Sequence, residues 1–254
     1  MKKKIMIPNT DLEISWIGLG TAKAGISYEG REVDELISTY LSYGGNLIDT
    51  ARVYSDWIPG EKGRSERVLG ESIRRLGIRD EIVLMTKGGH PDLSVQHSDM
   101  HRARMRAADM RSDLELSLQA LQTDVIDIYS YHRDDPQQSV AELIETMEAF
   151  RRKGKIRYYA CSNWSPERMQ EADAYCAGKG YRGLVADESL LNPGTLHMNP
   201  PYDDTLAVAG EENLQYHQHR PENILMPYSS VAEGYFHHLL QKGPVFQEIR
   251  HEII

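Results

Sequence analysis

Short apolar runs alternate with longer amphipathic stretches along almost the whole chain, and this alternation is the strongest constraint on the fold. Seven runs have the length of a β-strand and are rich in β-branched or aromatic residues: 14–18, 46–49, 82–86, 125–131, 156–161, 183–186 and 224–227. Helical apolar spacing marks 31–43, 65–76, 112–121, 139–153, 169–176 and 232–241. Repeated βα units build parallel sheets, so the sequence predicts an α/β fold, either a doubly wound sheet or a closed barrel.

Three local signals refine this expectation. The turn-forming residues 8–11 predict a hairpin within residues 1–13, placed to close the bottom of a barrel. Ser65 is expected to cap one helix, and Pro166 is expected at the first position of another. The proline-rich stretch 192–202 predicts a long loop, and long loops in such folds usually serve the functional site.

Composition excludes several classes of protein. The 254 residues suit a single barrel-sized domain, with 40% hydrophobic residues to fill its core. The net charge of −9 argues against a partner nucleic acid. The two cysteines form no CxxC pair, so we expect no zinc site or disulfide framework, and a reducing cytoplasm fits best. Neither a signal peptide nor a membrane span is expected from the apolar stretches.

Polar residues follow the predicted strands, where side chains of a parallel barrel converge on one face. These positions hold Asp49, Lys87, His132, Ser162, Asn163, Asp187, Glu188 and Tyr228. Polar residues at strand ends also cap helices and satisfy loops, so no single one of them identifies a site. Taken together, however, they permit a specific chemistry.

Tyr54 is the candidate proton donor of this set. A tyrosine has an unperturbed pKa of about 10, and a neighbouring Lys87 ammonium is expected to lower it. Asp49 would keep that lysine charged, and His132 would orient or polarise a substrate carbonyl. None of these side chains can deliver a hydride, so a redox reaction would need a cofactor.

Seven segments in order along the chain resemble the aldo/keto reductase family. NLIDTARVY (46–54) is similar to the family signature, in which an aspartate and a tyrosine lie five residues apart after the second strand. MTKGG (85–89) resembles the strand of the catalytic lysine, and LQTDVIDIY with HRDD (121–135) resembles the catalytic-histidine region. The other four are IGLGT (17–21), GRSERVLG (63–70), KGKIR with CSNW (153–164) and MPYSS with a following glycine (226–234).

The resemblance implies a (β/α)8 TIM barrel of the aldo/keto reductase type that reduces an aldehyde or ketone with hydride from NADPH. It implies that Asp49, Tyr54, Lys87 and His132 are catalytic, with Tyr54 as the proton donor. Cofactor-binding roles are implied for Ser162 and Asn163 at the nicotinamide carboxamide and Tyr228 against the ring. The resemblance further implies Ser229 and Ser230 near the phosphates, and Gly20 and Thr21 lining the pocket.

The chain departs from this pattern after the sixth core strand. Glu188 stands where the family has a glutamine that contacts the nicotinamide, and Asp187 precedes it. An ionised carboxylate can accept a hydrogen bond from the carboxamide but cannot donate one. Its charge would weaken cofactor binding or favour the positively charged oxidised nicotinamide. Whether Asp187 faces the site or points away is left open by the sequence.

The end of the chain is a second departure from the pattern. Residue 254 follows what resembles the seventh strand and its helix, so a single domain 1–254 is expected, with the eighth βα unit missing or replaced. Residues 246–254 could supply a strand or an amphipathic helix. A truncated product, a partial chain and an oligomer that fills the gap are all compatible with this ending.

Other readings of the sequence are a metal-dependent hydrolase and a non-catalytic protein. His90, His132, Asp49 and Asp134 could bind a metal, but the expected HxH pair is missing, so no metal is predicted. A nicotinamide-sensing or accessory protein on the same barrel stays open. We expect His217 and His219 to be solvated, whereas Trp57 and Trp164 could each be either a pocket wall or a packing residue.

Overall fold

The computed structural model describes residues 3–242, except 96 and 198. It begins with an antiparallel hairpin of β1 (Lys4–Met6) and β2 (Glu13–Ser15). Ile7, Leu12 and Ile14 of this hairpin are buried against apolar side chains of the central sheet. The predicted hairpin therefore forms, but its second strand extends beyond residue 13 to Ser15, and its buried side chains cover one end of the inner core.

The central sheet contains seven parallel strands within the described residues. They are β3 (Leu19–Gly20), β4 (Leu47–Asp49), β5 (Val83–Gly88), β6 (Ile126–Tyr131), β7 (Ile156–Ser162), β8 (Ala186–Glu188) and β9 (Ile224–Leu225). Each strand pairs in parallel with the next one along the chain. This sequential order distinguishes the sheet from a doubly wound sheet, in which the strand order reverses, and it is the order of a (β/α) barrel.

Helices follow the sheet strands in the expected alternation. They are α1 (Arg31–Ser42), α2 (Arg64–Leu76), α3 (Ala107–Ala120), α4 (Val140–Arg152), α5 (Pro166–Lys179), α6 (Glu211–His219) and α7 (Tyr235–Lys242). Their buried apolar residues form one continuous core with the outer face of the sheet. Strands β5 and β6 are buried along their whole length, so the polar residues within them, such as Thr86, Lys87 and Asp127, are buried as well.

The predicted helix start at Pro166 is confirmed, whereas the predicted helix cap at Ser65 is wrong. Pro166 is the first residue of α5, and the Ser165 hydroxyl accepts a hydrogen bond from the Arg168 amide. Helix α2 instead begins after Gly63, whose φ of 57° is in the left-handed region. Ser65 lies inside the first turn, and its hydroxyl donates to the Thr21 carbonyl at 2.8 Å. It therefore ties α2 to the sheet.

Two elements differ from the predicted pattern. The apolar run 14–18 is split, because β2 takes its start for the hairpin, and the barrel strand β3 begins only at Leu19. Trp16 and Ile17 lie between these strands and are 63% and 70% exposed. Helix α6 was not predicted, since it is polar and buries only Asn213 and Tyr216. The predicted segment 246–254 lies outside the described residues.

Candidate active site

The carboxyl ends of β4 and β5 bring the first two candidate residues together. Asp49 is opposite Met85 in the parallel register, so Lys87 projects from the same face two residues further along β5. The Lys87 Nζ atom lies 2.5 Å from Asp49 Oδ1 and donates to the Thr50 carbonyl at 3.0 Å. Lys87 is buried, so the ion pair holds its ammonium in one position.

Tyr54 and His132 complete the predicted group of four. Tyr54 lies in the turn after β4, and its ring centroid is 5.6 Å from Lys87 Nζ. His132 directly follows β6, and its ring lies 5.7 Å from that of Tyr54 in a nearly perpendicular arrangement. The structure therefore places all four side chains at one end of the sheet, where barrel enzymes hold their active sites.

Glu188 joins this group from β8. Its side chain is buried, and its Oε2 atom lies 3.1 Å from Lys87 Nζ. The distance makes an ion pair, but Oε2 has no hydrogen-bond partner of proper geometry among the described residues. Lys87 is thus shared by two carboxylates, one from Asp49 and one from Glu188.

Asp187 points to the opposite side of β8. Its carboxylate accepts hydrogen bonds from the Ser189 hydroxyl at 2.9 and 3.1 Å and lies 3.1 Å from His217 Nε2. The question left open by the sequence is therefore answered: Glu188 faces the site and Asp187 faces the helices.

The expectation that His217 is solvated is wrong. Its side chain is 9% exposed, with Nδ1 2.7 Å from the Asn223 carbonyl and Nε2 against Asp187. The reason is that α6 packs against the sheet through the face that carries His217. The polar sequence of α6 does not predict this packing. His219, two residues further along α6, is exposed as expected.

Burial and neighbouring charges together shift the pKa values of Lys87 and Glu188. Burial, the largest influence, lowers the pKa of Lys87, but Asp49 and Glu188 outweigh it and raise that pKa above its ordinary value. Burial raises the pKa of Glu188 to about 8, and the charge of Asp49 adds to this effect. Lys87 opposes both influences only in part.

The pKa of Tyr54 is raised to about 12, mainly by burial. Lys87 lowers it, but the negative charges of Asp49 and Glu188 offset much of that effect. Lys87 therefore lowers the pKa of Tyr54 as expected, but burial outweighs its effect. Asp49 and Glu188 both lie close to Lys87, and their negative charges reduce the stabilisation that Lys87 gives to the phenolate form of Tyr54.

His90 is a neighbour of His132 that the sequence suggested only as a metal ligand. The two rings are 4.6 Å apart, and His90 Nδ1 lies 2.9 Å from the Pro91 carbonyl. Burial lowers the pKa of His90 to about 3 and lowers that of His132 well below its ordinary value. Both rings are therefore neutral near pH 7. Their proximity depends on the path of the loop after β5, which the sequence does not specify.

The predicted cofactor residues Ser162, Asn163 and Tyr228 form a connected group beside Glu188. The Ser162 hydroxyl donates to the Glu188 carbonyl at 2.9 Å, and Asn163 Nδ2 donates to Ser162 Oγ at 3.0 Å. The Tyr228 hydroxyl donates to Asn163 Oδ1 at 2.8 Å. Asn163 has a φ of 62°, a left-handed conformation that asparagine tolerates better than most residues.

The remaining predicted cofactor residues lie at the ends of β3 and β9. Gly20 pairs with Asp49 in the register, and Thr21 is buried with its hydroxyl donating to the Asp49 carbonyl at 2.8 Å. Thr21 thus supports the position of Asp49. Ser229 and Ser230 follow Tyr228, and Ser229 has a left-handed φ of 53°.

A loop after β8 lies across this end of the sheet. Its Asp203 carboxylate is 3.0 Å from Arg133 Nη2, and its Ala207 amide donates to Asn163 Oδ1 at 3.1 Å. The loop predicted at 192–202 thus leads directly into residues that contact the site. Arg133 and Asp203 were missed, because they are 70 positions apart and lie in loops. Trp164 is buried and stacks on Tyr131, so it is a packing residue.

Searches for other kinds of site and for membrane spans gave two further observations. Among the described residues, no group of three or more His, Cys, Asp or Glu side chains is arranged to hold a metal ion. No helix in the same part of the chain is long and apolar enough to cross a membrane. Cys161 and Cys176 are both buried and unpaired with each other.

Comparison with known proteins identifies the family of this chain. The chain is 37% identical over 167 residues to the aldo-keto reductase YhdN of Bacillus subtilis, covering 64% of this chain and 47% of that protein. It is 25% identical over 245 residues to norsolorinic acid reductase B of Dothistroma septosporum, covering 93% of this chain and 58% of that one. The chain spans about half the length of the curated relatives it matches. The profile of the Aldo/keto reductase family matches residues 16–247, and the chain belongs to this family.

Proposed function

We propose that this chain transfers hydride between NADPH and the carbonyl carbon of an aldehyde or ketone, with Tyr54 as the proton donor. The observation that carries the proposal is the buried Lys87 ammonium, 2.5 Å from Asp49 and 5.6 Å from the ring centroid of Tyr54. A charged lysine held beside a tyrosine stabilises the phenolate that forms when the tyrosine gives up its proton. Family membership supports an oxidoreductase role.

Each of the four side chains has a distinct part in the proposed reaction. Tyr54 keeps its proton until the substrate oxygen takes it, because burial raises its pKa to about 12. Lys87 supplies the positive charge, and Asp49 holds Lys87 in position. His132 is neutral, so one ring nitrogen carries a hydrogen that can bond the substrate carbonyl oxygen.

The residues around Glu188 fit the nicotinamide end of the proposed cofactor. Glu188 Oε2 is a buried acceptor without a hydrogen-bond partner among the described residues, and an amide NH2 group is the donor it lacks. Ser162 and Asn163 are adjacent to it, and the partly exposed Tyr228 ring offers an aromatic face. When bound, NADPH supplies the hydride that none of the side chains can provide.

The rest of the cofactor would extend from this group. Ser229 and Ser230 directly follow Tyr228, and we assign them to the phosphates. We assign Gly20 and Thr21 to the pocket on the opposite side, next to Asp49. An added Cβ at Gly20 would meet no atom within 4 Å, so space for a ligand exists there.

A nicotinamide-sensing protein without turnover is the second candidate. The pKa of Tyr54, raised to about 12, favours it, because such a tyrosine is a weak proton donor. In either candidate, binding a carboxamide at Asn163 would require exchange of its bonds to Tyr228, Ala207, Ser162 and His132.

Substituting Tyr54→Phe tests the proposed reaction. Turnover of an aldehyde panel should fall by about 10²- to 10⁴-fold, the usual contribution of a positioned proton donor. The affinity for NADPH, measured by protein fluorescence, should stay within about twofold, since the ring remains. The exposed Tyr43→Phe is the matched control. Equal rates for Tyr54→Phe and wild type would refute the assignment, and cofactor binding without any turnover in wild type would establish the sensing alternative.

A further inference from the structure

The catalytic end of the sheet contains one more buried negative charge than its cations balance. Lys87 is the only cation within ion-pair distance of both Asp49 and Glu188 among the described residues. The other two acids near this end have partners of their own: Asp203 pairs with the Arg133 guanidinium, and Asp187 contacts the His217 ring. When Asp49, Lys87 and Glu188 are all ionised, their sum is therefore −1.

His217 does not relieve this imbalance, because it lies on the opposite side of β8 from Glu188. Its Nδ1 atom is 2.7 Å from the Asn223 carbonyl oxygen, and its Nε2 atom is 3.1 Å from the Asp187 carboxylate. Both ring nitrogens therefore contact groups on the outer side of the strand.

We propose that Glu188 makes this site selective for the oxidised, positively charged form of the nicotinamide cofactor over the reduced, neutral form. The inference rests on the proposed function. The Oε2 atom lies 3.1 Å from Lys87 Nζ and makes no hydrogen bond among the described residues, so it would accept one from the carboxamide, as would the side-chain oxygen of a glutamine at this position. The carboxylate therefore adds charge discrimination, because only the oxidised ring supplies the missing positive charge.

A proton balance follows from this assignment. Burial and Asp49 raise the pKa of Glu188 to about 8, so much of the carboxyl is protonated at pH 7 before the cofactor binds. A cation beside it lowers that pKa, and the carboxyl proton leaves to the solvent as the oxidised cofactor binds. The ionisable groups that interact electrostatically with Glu188 are Asp49, Tyr54, Lys87, Cys161, Asp187 and Tyr228.

Binding measurements on Glu188→Gln test the selectivity. Dissociation constants for NADP+ and NADPH are measured by fluorescence at pH 8 for wild type, Glu188→Gln and Asp187→Asn. The ratio of the NADPH constant to the NADP+ constant should fall by about tenfold or more in Glu188→Gln, because one nearby unit charge is removed. In Asp187→Asn, which removes a carboxylate facing the other way, the ratio should stay within about twofold.

Proton release provides a second readout that does not involve turnover. Calorimetric titration at pH 7 in two buffers of different ionisation enthalpy should show wild type releasing up to about one proton per NADP+ bound and almost none with NADPH. Glu188→Gln should release almost none with either. In wild type alone, NADP+ binding should tighten between about pH 6 and pH 9, while NADPH binding should not, which keeps the test valid if the variant fails to fold.

The outcomes separate the two proposals. An unchanged ratio in Glu188→Gln, or proton release unchanged by the substitution, would overturn the role of Glu188 and leave the proposed function standing. Failure of wild type to bind either cofactor form would overturn both. A selective wild type whose preference and proton release disappear in Glu188→Gln would establish the inference.

Discussion

Asp187 and Glu188 are adjacent acids on β8, both buried, and they face opposite sides of the same strand. Asp187 has its own partner in the His217 ring, and its two oxygens share the hydrogen of the Ser189 hydroxyl. Glu188 shares Lys87 with Asp49, and its Oε2 atom has no hydrogen bond among the described residues. Side-chain alternation along a strand is enough to separate them.

The difference shows how the number of partners, and not burial alone, determines what a buried acid does. Asp187, a carboxylate with partners of its own in the His217 ring and the Ser189 hydroxyl, ties α6 to the sheet, which is a structural role. Glu188, which shares its cation with Asp49, keeps an unbalanced negative charge when it is ionised, and its Oε2 atom makes no hydrogen bond among the described residues. Such a group responds to ligands and to pH, which is the behaviour expected near a reaction centre.

Removing the shared cation should have the largest effect. Lys87→Met leaves Asp49 and Glu188 buried without a counter-charge, so the free energy of unfolding at pH 8 should fall by about 3–5 kcal/mol. The loss should be smaller at pH 5, where the carboxyls can take up protons. Urea unfolding at both pH values measures this. The matched control is Lys62→Met, an exposed lysine without an ion pair among the described residues. Equal stability of the two variants at pH 8 would show that Lys87 does not balance these acids.

Removing His217, the partner of Asp187, should have an intermediate effect on stability. His217→Ala leaves one buried carboxylate that keeps its Ser189 hydrogen bonds, so the free energy of unfolding should fall by about 2–3 kcal/mol at pH 7. The exposed His219→Ala, on the same helix, should change it by less than about 0.5 kcal/mol. Thermal and urea unfolding compare them. If both variants lose the same amount, the Asp187–His217 pair has no special structural role.

The pH dependence of stability should show the smallest effect. The folded-state pKa of Glu188, about 8, exceeds its ordinary value of 4.5, so the folded state binds more protons between these pH values. Stability from this group is therefore lost as pH rises from about 4.5 to about 8. At pH 9, Glu188→Gln should be more stable than wild type by about 1–2 kcal/mol, with little difference near pH 4.5.

The exposed Glu115→Gln provides the control for this pH series and should follow the wild-type curve. Part of the slope should survive in Glu188→Gln, because burial also raises the pKa of Glu66, to about 7. Parallel curves for wild type and Glu188→Gln across the whole range would mean that Glu188 titrates alike in the folded and unfolded states. That result would equate the two acids of β8 and remove the contrast between them.

Much of the fold was predictable, because local patterns determine it. Helix α4 follows from the apolar spacing of 139–153, and the start of α5 follows from Pro166 at its first position. Four catalytic candidates followed from strand ends and from the family resemblance, and the structure brings them together. Helix α6 and the contact between His90 and His132 were not predictable. They depend on which polar face meets the sheet and on the path of a loop.

By itself, the amino-acid sequence determined the alternation of strands and helices, the identity of Asp49, Tyr54, Lys87 and His132, and the unusual acid pair on β8. The tertiary structure decided which acid faces the site and which partner each acid contacts. It also decided how far burial offsets the effect of Lys87 on the pKa of Tyr54. The physical reason is that the periodic spacing of apolar residues, which predicts strands and helices, is a pattern among residues only a few positions apart. Partner number and burial depend on contacts between residues far apart in the chain, such as Asp187 with His217 and Lys87 with Glu188.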